Sequence, residues 1–394
     1  MIELGPVRRA FAERYGGASR RPRLFRAPGR VNLIGEHTDY NGGFVLPMAI
    51  DRETVVAAAP REDRRVRAYS LNQEEEIEFD LDRPGTPRRG LWIDYLEGVA
   101  QALEGRGVPL RGADLVLSSD VPAGAGLSSS AALEVSTGLA LTTISGRDVD
   151  RVTLALAGQQ AEHTYVGTLC GIMDQFIAAL GRAGHALLID CRTLAATPVP
   201  LDTTETLVVI CDTNVKHELS SSEYNTRRAE CERGVELLRA AMPGITQLRD
   251  VSVEDFARHA ERLPALVRRR CHHVVTENDR TLRAADALRR SDLGEMGRLM
   301  NESHVSLRDD YEVSCPELDL LAEIAWDFGA DAVPGARMTG GGFGGSTVSL
   351  VRRDALDQFS RTIAARYEQG TNLKPNIYVS DAGDGAKEIM MNAE

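Results

Sequence analysis

Between Arg30 and Asn41 the chain sets Arg30, Asn32, Glu36, His37, Asp39, Tyr40 and Asn41 close together. Apolar runs flank them, Val31, Leu33 and Ile34 before and Phe44 to Ile50 after. Carboxylates, an imidazole, a phenol and an amide on one rigid turn can hydrogen-bond a polyhydroxylated ligand. Such a ligand presents donors and acceptors in a fixed array, and a mismatch leaves a buried polar group unpaired. Singly, each residue reads as part of a salt-bridged turn; as a set they read as a ligand site. A second group is Val121-Pro-Ala-Gly-Ala-Gly-Leu-Ser-Ser-Ser-Ala-Ala-Leu-Glu134. Gly124 and Gly126 let backbone amides approach a ligand, and Ser128, Ser129 and Ser130 open a helical stretch running to Thr143. A helix N-terminus offers free N–H groups and partial positive charge, which suits phosphate, and serine hydroxyls there can ligate Mg2+. The plainer reading is a serine-capped helix. Neither a Walker loop nor a dinucleotide fingerprint fits the spacing. A third candidate is Asp174, set among Ile172, Met173, Phe176, Ile177 and Leu180. A carboxylate there must be ion-paired or catalytic, because burying it alone is costly. The two readings meet if its partner is Arg30.

These residues need elements to hold them. Around the first group the chain reads as a strand entering a core, a polar turn exposed at a cleft, and a strand returning, with Pro28-Gly29 and Asn41-Gly42-Gly43 as turn signals. Strands are expected over 54–59, 65–70, 76–81, 114–118 and 186–190, and helices over 7–15, 92–103 and 151–166. The 193–204 segment, with Pro198 and Pro200, is the expected linker between two halves, 1–195 and 196–394. The second half reads as α+β: a buried strand at 207–211, helices over 223–242, 255–261, 266–277, 293–303 and 318–328, strands at 336–338 and 346–351, a helix over 355–369, and a strand at 376–379. Five of the six residues from 340 to 345 are glycine, and that loop is expected to pack against the serine-lined turn. Cys271-His272-His273 is no metal site, because consecutive positions do not share a helix face.

Bulk properties narrow the classes. A chain of 394 residues is long enough for about two domains. A formal net charge of −12 argues against nucleic acid or an anionic membrane as partner, though local cations can still hold an anionic substrate. Six cysteines form no CxxC pair, so reduced thiols in a cytoplasmic protein are expected. No secretory signal or bilayer-spanning run is visible. Only three of the 46 basic residues are lysine, one of them Lys216 in the polar stretch 212–228.

The stretch GRVNLIGEHTDYNGGFVLP resembles the galactokinase signature within the GHMP family of small-molecule kinases. VPAGAGLSSSA resembles that family's phosphate loop, and CGIMDQF and MTGGGFGGST resemble its later motifs in the expected order. The likeness runs from about Arg23 to Lys387. It implies an α+β, two-domain GHMP fold: a first half shared with a domain of a small-subunit ribosomal protein, a ferredoxin-like second half, and an active site in the cleft between them. It implies that the last fifteen or so residues fold back on the first half. It implies Asp174 as general base with Arg30 beside it, and Glu36, His37, Asp39, Gly171 and Tyr224 on galactose. Asp39 and Tyr224 would read the axial C4 hydroxyl. Gly124, Ala125, Gly126, Leu127, Ser128, Ser129 and Ser130 would cradle the phosphates of ATP, with Lys216 near the transferring group and Trp92 and Tyr95 flanking adenine. Ser130 and Glu162 would ligate Mg2+. The segment from Val274 to Thr281 is also family-like and reads as packing and helix caps. The implied reaction is ATP plus α-D-galactose giving galactose 1-phosphate and ADP, in a monomer or weak oligomer. Two other readings stay open: a kinase of a related sugar such as N-acetylgalactosamine or arabinose, and a catalytically silent galactose and ATP sensor that binds a transcriptional repressor. Known sensors lack residues of the serine loop, and Ser128 to Ala132 is intact here.

Overall fold

A computed structural model describes residues 2–16, 21–216 and 220–390, without the side chains of 216 and 220–222. The first half runs α1 (Leu4–Tyr15), β1 (Arg23–Asn32), β2 (Phe44–Val45), β3 (Pro47–Pro60), β4 (Arg65–Ser70), β5 (Glu75–Asp80), α2 (Ile93–Gly105), β6 (Ala113–Ser119), α3 (Ser129–Ile144), α4 (Arg151–Ala161), α5 (Met173–Leu180), β7 (His185–Asp190) and β8 (Ala195–Pro200). The second runs β9 (Thr206–Lys216), α6 (Ser220–Leu238), α7 (Val253–His259), α8 (Ala265–Arg289), α9 (Leu293–Asp309), α10 (Pro316–Trp326), β10 (Gly335–Thr339), β11 (Gly344–Arg352), α11 (Leu356–Thr371) and β12 (Asn376–Ser380). A last strand, β13 (Lys387–Glu388), returns to the first half and pairs with β1 at Phe25 and Arg26.

The main sheet of the first half has the order β13-β1-β3-β6-β4-β5. The second part of β3, Val55 to Ala59, reads as an unbroken apolar run rather than an alternating one. Val56 and Ala58 face the core under α2–α5, while Val55, Ala57 and Ala59 face Val7 and Phe11 of α1. Both faces are covered, so neither needs polar side chains. The second half has the sheet order β10-β11-β9-β12, every pair antiparallel, with helices between its outer connections: the ferredoxin-like arrangement. Strand β9 alternates in the same way. Leu207, Val209 and Cys211 pack on α10 and α11, whereas Val208 and Ile210 join a cluster that also holds Val31, Leu33, Met48 and Leu127 of the first half. One apolar core therefore runs through the junction of the halves.

Two expectations fail here. The 193–204 segment is not a free linker. Its central part is β8, paired antiparallel with β7 from His185↔Pro200 to Asp190↔Ala195, and β7 pairs with β2. The prolines stand at an edge strand, where a missing N–H costs no ladder bond. Nor is the polar turn exposed. Glu36, His37, Thr38 and Asn41 are buried, and Asp39 and Tyr40 are half-buried, because α8 from the second half covers the turn.

Candidate active site

Asp174 stands in the first turn of α5. The Arg30 guanidinium grips it as a fork, Nε to Oδ1 and Nη2 to Oδ2, both at 2.9 Å. Such a bidentate pair fixes orientation as well as charge. The third limb of Arg30, Nη1, donates to the Gly126 carbonyl, and the Arg30 amide donates to the Leu127 carbonyl at 3.0 Å. The arginine thus ties Asp174 to the serine-lined turn. Ser128, in a left-handed conformation at φ 60°, donates its hydroxyl to Asp174 Oδ2. The Ser128 side chain thus faces the carboxylate.

Around this pair lies a pocket of about 310 Å3. Its walls include Glu36, His37, Asp39, Gly171 and Tyr224, together with Arg30, Asp174, Ser130, Glu162 and Tyr95. Residues expected to share one ligand are therefore gathered in one place. Glu36 spends Oε1 on the Gly340 amide at 2.7 Å, which joins the glycine loop to the polar turn. A side chain at Gly171 would fall on the Asp39 carboxylate, so the two segments touch through the only residue small enough. His37 has both ring nitrogens committed, Nε2 to the Gly341 carbonyl at 3.2 Å and Nδ1 to the Tyr40 hydroxyl at 2.8 Å. A carbonyl only accepts, so Nε2 carries the proton and Nδ1 accepts from Tyr40. The Tyr40 oxygen is in turn 2.8 Å from the Tyr311 hydroxyl. His37 is a wall of the pocket, and both of its ring nitrogens are engaged within the protein. Burial, then the neighbouring His273, holds its pKa down at about 3.

The acids are crowded. Burial first, and then the Asp174 charge, push Asp39 up to about 7. Burial likewise pushes Glu162 up to about 7, opposed by a hydrogen bond from Ser130. Glu162 opens a π-helical turn, Glu162–Val166, that continues α4. No basic side chain among the described residues pairs with it. Beneath it Glu134 of α3 is fully buried, takes a bond from Gln175 Nε2 at 2.9 Å, and is held well above the carboxylate range by burial and by Glu162.

Tyr95 and Ser130 also line an adjoining cleft of about 610 Å3, together with Trp92, Gly124 and Ser129. Asn72, Gln73, Ser119 and Leu133 line it as well, and nothing in the sequence marked them. Ala125, Gly126 and Leu127 do not line this cleft as expected. Ala125 turns its carbonyl to the Ser346 hydroxyl at 2.7 Å, and Gly126 packs by Thr339 and Gly345. The glycine-rich loop between β10 and β11 thus steadies the turn through backbone contacts. Lys216 ends β9, its backbone opposite Gly344; its side chain lies outside the described residues.

The segment from Val274 to Thr281 is no cap. It lies in the middle of α8, and Glu277 Oε1 there accepts the Gly35 amide at 3.0 Å. The neighbouring His273 has its Nε2 at 3.1 Å from the Glu36 carbonyl.

A two-half fold with a phosphate-sized helix terminus beside an acid–arginine pair defines a small-molecule kinase of the GHMP type. Models of the GHMP kinase N-terminal domain and of the GHMP kinase C-terminal domain match residues 94–182 and 284–369. The crystal structure of Methanococcus jannaschii mevalonate kinase shares the fold, with a TM-score of 0.63 at 17% identity over 92% of this chain and 99% of that one. The model of the galactokinase galactose-binding signature matches residues 9–60. A galactokinase of Chloroflexus aurantiacus is 52% identical over the full length of both chains. The crystal structure of Lactococcus lactis galactokinase complexed with galactose matches with a TM-score of 0.94 and 37% identity, covering 98% of this chain and 100% of that one. The chain belongs to the galactokinase family. No helix among the described residues is long and apolar enough to cross a membrane.

Proposed function

We propose that this protein transfers the γ-phosphoryl group of ATP to the C1 hydroxyl of α-D-galactose, giving galactose 1-phosphate and ADP. The observation that carries the reading is the Arg30–Asp174 fork, set in one pocket with Glu36, Asp39 and Tyr224 and open through Tyr95 and Ser130 to the neighbouring cleft. Arg30 holds the Asp174 carboxylate in a bidentate grip, and Asp174 accepts the C1 hydroxyl proton. The new bond joins that oxygen to the γ-phosphorus, and the bond from the γ-phosphorus to the β–γ bridging oxygen breaks, leaving ADP. Asp39 and Tyr224 read the axial C4 hydroxyl, and Glu36, Gly171 and the face of His37 complete the sugar's surroundings. The epimer with an equatorial C4 hydroxyl leaves these buried groups unpaired. Trp92 and Tyr95 flank adenine, and Gly124, Ser129 and the N-terminus of α3 receive the phosphates.

A divalent cation fits the donors present. Glu162 is a buried carboxylate whose one assigned hydrogen-bond partner is Ser130, a pairing that suits Mg2+. The described residues hold no group of three or more acidic, histidine or cysteine ligands, so nucleotide oxygens and water would complete the shell. When bound, Mg2+ neutralises charge on the phosphates. Positioning and charge stabilisation supply most of the rate.

The test is a coupled ADP-release assay on purified protein with Mg-ATP across galactose, glucose, N-acetylgalactosamine and arabinose. Galactose is expected to give the highest kcat/KM. Best turnover on another sugar rejects the assignment, and no turnover on any rejects the enzyme.

A further inference from the structure

Helix α8 belongs to the second half but lies across the back of residues 35–44 of the first. Its positions 273, 277, 278 and 281 share one face by helical spacing. Asn278 Oδ1 accepts the Phe44 amide at 3.0 Å, where the polar turn ends and β2 begins. The turn is shaped to admit these side chains. A Cβ on Gly43 would fall on Asn278 Oδ1, and one on Gly35 would come 3.0 Å from Thr281 Oγ1. Gly43 is therefore a close-approach position set by α8, whereas Gly35 is set first by the Phe44 carbonyl, 2.7 Å from such a Cβ, with Thr281 next to it.

The α8 residues are not equivalent. Glu277 also holds Arg280 Nε at 2.8 Å and the Ser303 hydroxyl, so removing it would strand a buried guanidinium. Asn278 is neutral. Its Nδ2 has no hydrogen-bond partner among the described residues, so its polar task is the Phe44 amide. That bond ties the end of the polar turn to α8. Asp39 has no slack there, since Gly171 already touches it.

We propose that Asn278 is a specificity-determining positioning residue. Through the Phe44 amide it fixes residues 36–41 against the Arg30–Asp174 pair, so the second half completes a sugar pocket whose polar wall belongs to the first. This rests on reading that pocket as the galactose site. Asn278 touches neither substrate nor reacting atoms. Its loss leaves a buried N–H unpaired and lets the turn shift, and the misfit is felt at the sugar. Neither Asn278 nor any residue of the 36–41 turn lines the cleft around Trp92, so that cleft is untouched.

The experiment compares wild type, Asn278→Ala and Asn278→Asp by steady-state kinetics with galactose, glucose and ATP varied separately, with a thermal midpoint for each. Wild type is measured first; if it does not phosphorylate galactose, the functional reading fails and not the positioning. Asn278→Ala is expected to raise the KM for galactose about tenfold or more, the loss a buried unpaired donor brings. The KM for ATP should stay unchanged, and the galactose-to-glucose ratio of kcat/KM should fall. Asn278→Asp keeps the acceptor oxygen and should recover most of the galactose KM. A folded Asn278→Ala protein with an unchanged galactose KM, or with the KM for both substrates raised alike, overturns the proposal. If Asn278→Ala does not fold, near-isosteric Asn278→Leu, which also lacks the acceptor, is judged by the same criteria.

Discussion

The pocket around Asp174 takes walls from both halves of the chain, with Tyr224, Gly340 and Gly341 facing Glu36, Asp39 and Gly171. The cleft around Trp92 is lined by the first half alone, from Thr54 to Leu133. The pocket is made of charged and hydroxylated side chains already engaged with one another. The cleft is made of a turn, a helix end and small or aromatic residues. A sugar must be told from its epimers by the direction of single hydroxyls, which requires many fixed groups from several elements. A triphosphate can be held by a helix terminus that one segment supplies. The pocket is therefore a product of both halves, whereas the cleft is built within one.

Substitutions can break or sharpen that contrast. The largest effect is expected at the Arg30–Asp174 fork in the pocket. Asp174→Asn keeps the shape but not the base, so kcat should fall by about 10²- to 10⁴-fold. Binding of galactose and ATP, followed by calorimetry, should persist. Near-normal turnover would remove Asp174 from the role of base. Next comes Gly171→Ala, which drives a methyl group into the Asp39 carboxylate. The KM for galactose should rise by about 10²-fold, as misplacement of roughly 1 Å can do. ATP binding should be unchanged, and an equal loss on both substrates would dissolve the distinction between the sites. Trp92→Ala should do the reverse. The KM for ATP should rise about tenfold through lost stacking, with the galactose KM unmoved.

The smallest effect is on stability against pH. Asp39 is held at about 7, above the ordinary value, first by burial and then by Asp174. A carboxyl raised in this way contributes stability while protonated. That contribution fades as pH climbs from its unfolded value near about 4 toward the folded one. The ligand-free thermal midpoint of Asp39→Asn, subtracted from that of wild type, should therefore fall by a few degrees between acid and neutral pH. A flat difference would mean that Asp39 is not so confined.

Much of the site was legible because its chemistry is written in neighbouring residues. A polar run from Arg30 to Asn41 between apolar strands needs a partner for every group, and an aspartate amid Ile172, Met173 and Phe176 needs a cation. Those demands hold in any fold, so the pairing of Arg30 with Asp174 could be expected before the fold was in hand. The paired glycines and serines at 124–130 announced a helix terminus for the same reason.

Other features had no local signal. Ser128 points to Asp174 because its left-handed backbone turns it there. The proline-bearing segment became β8 because β7 offered it an edge. Helix α8 clamps the polar turn through Glu277 and Asn278 across a sequence distance of about 240 residues, beyond what any spacing rule sees. The sequence by itself determined which groups must be buried in company and which could meet a sugar or a phosphate, since desolvation costs depend on residue type. Only the tertiary structure decided which oxygen faces which hydrogen, because hydrogen bonds are set by distance and direction, and those come from the docking of one half on the other.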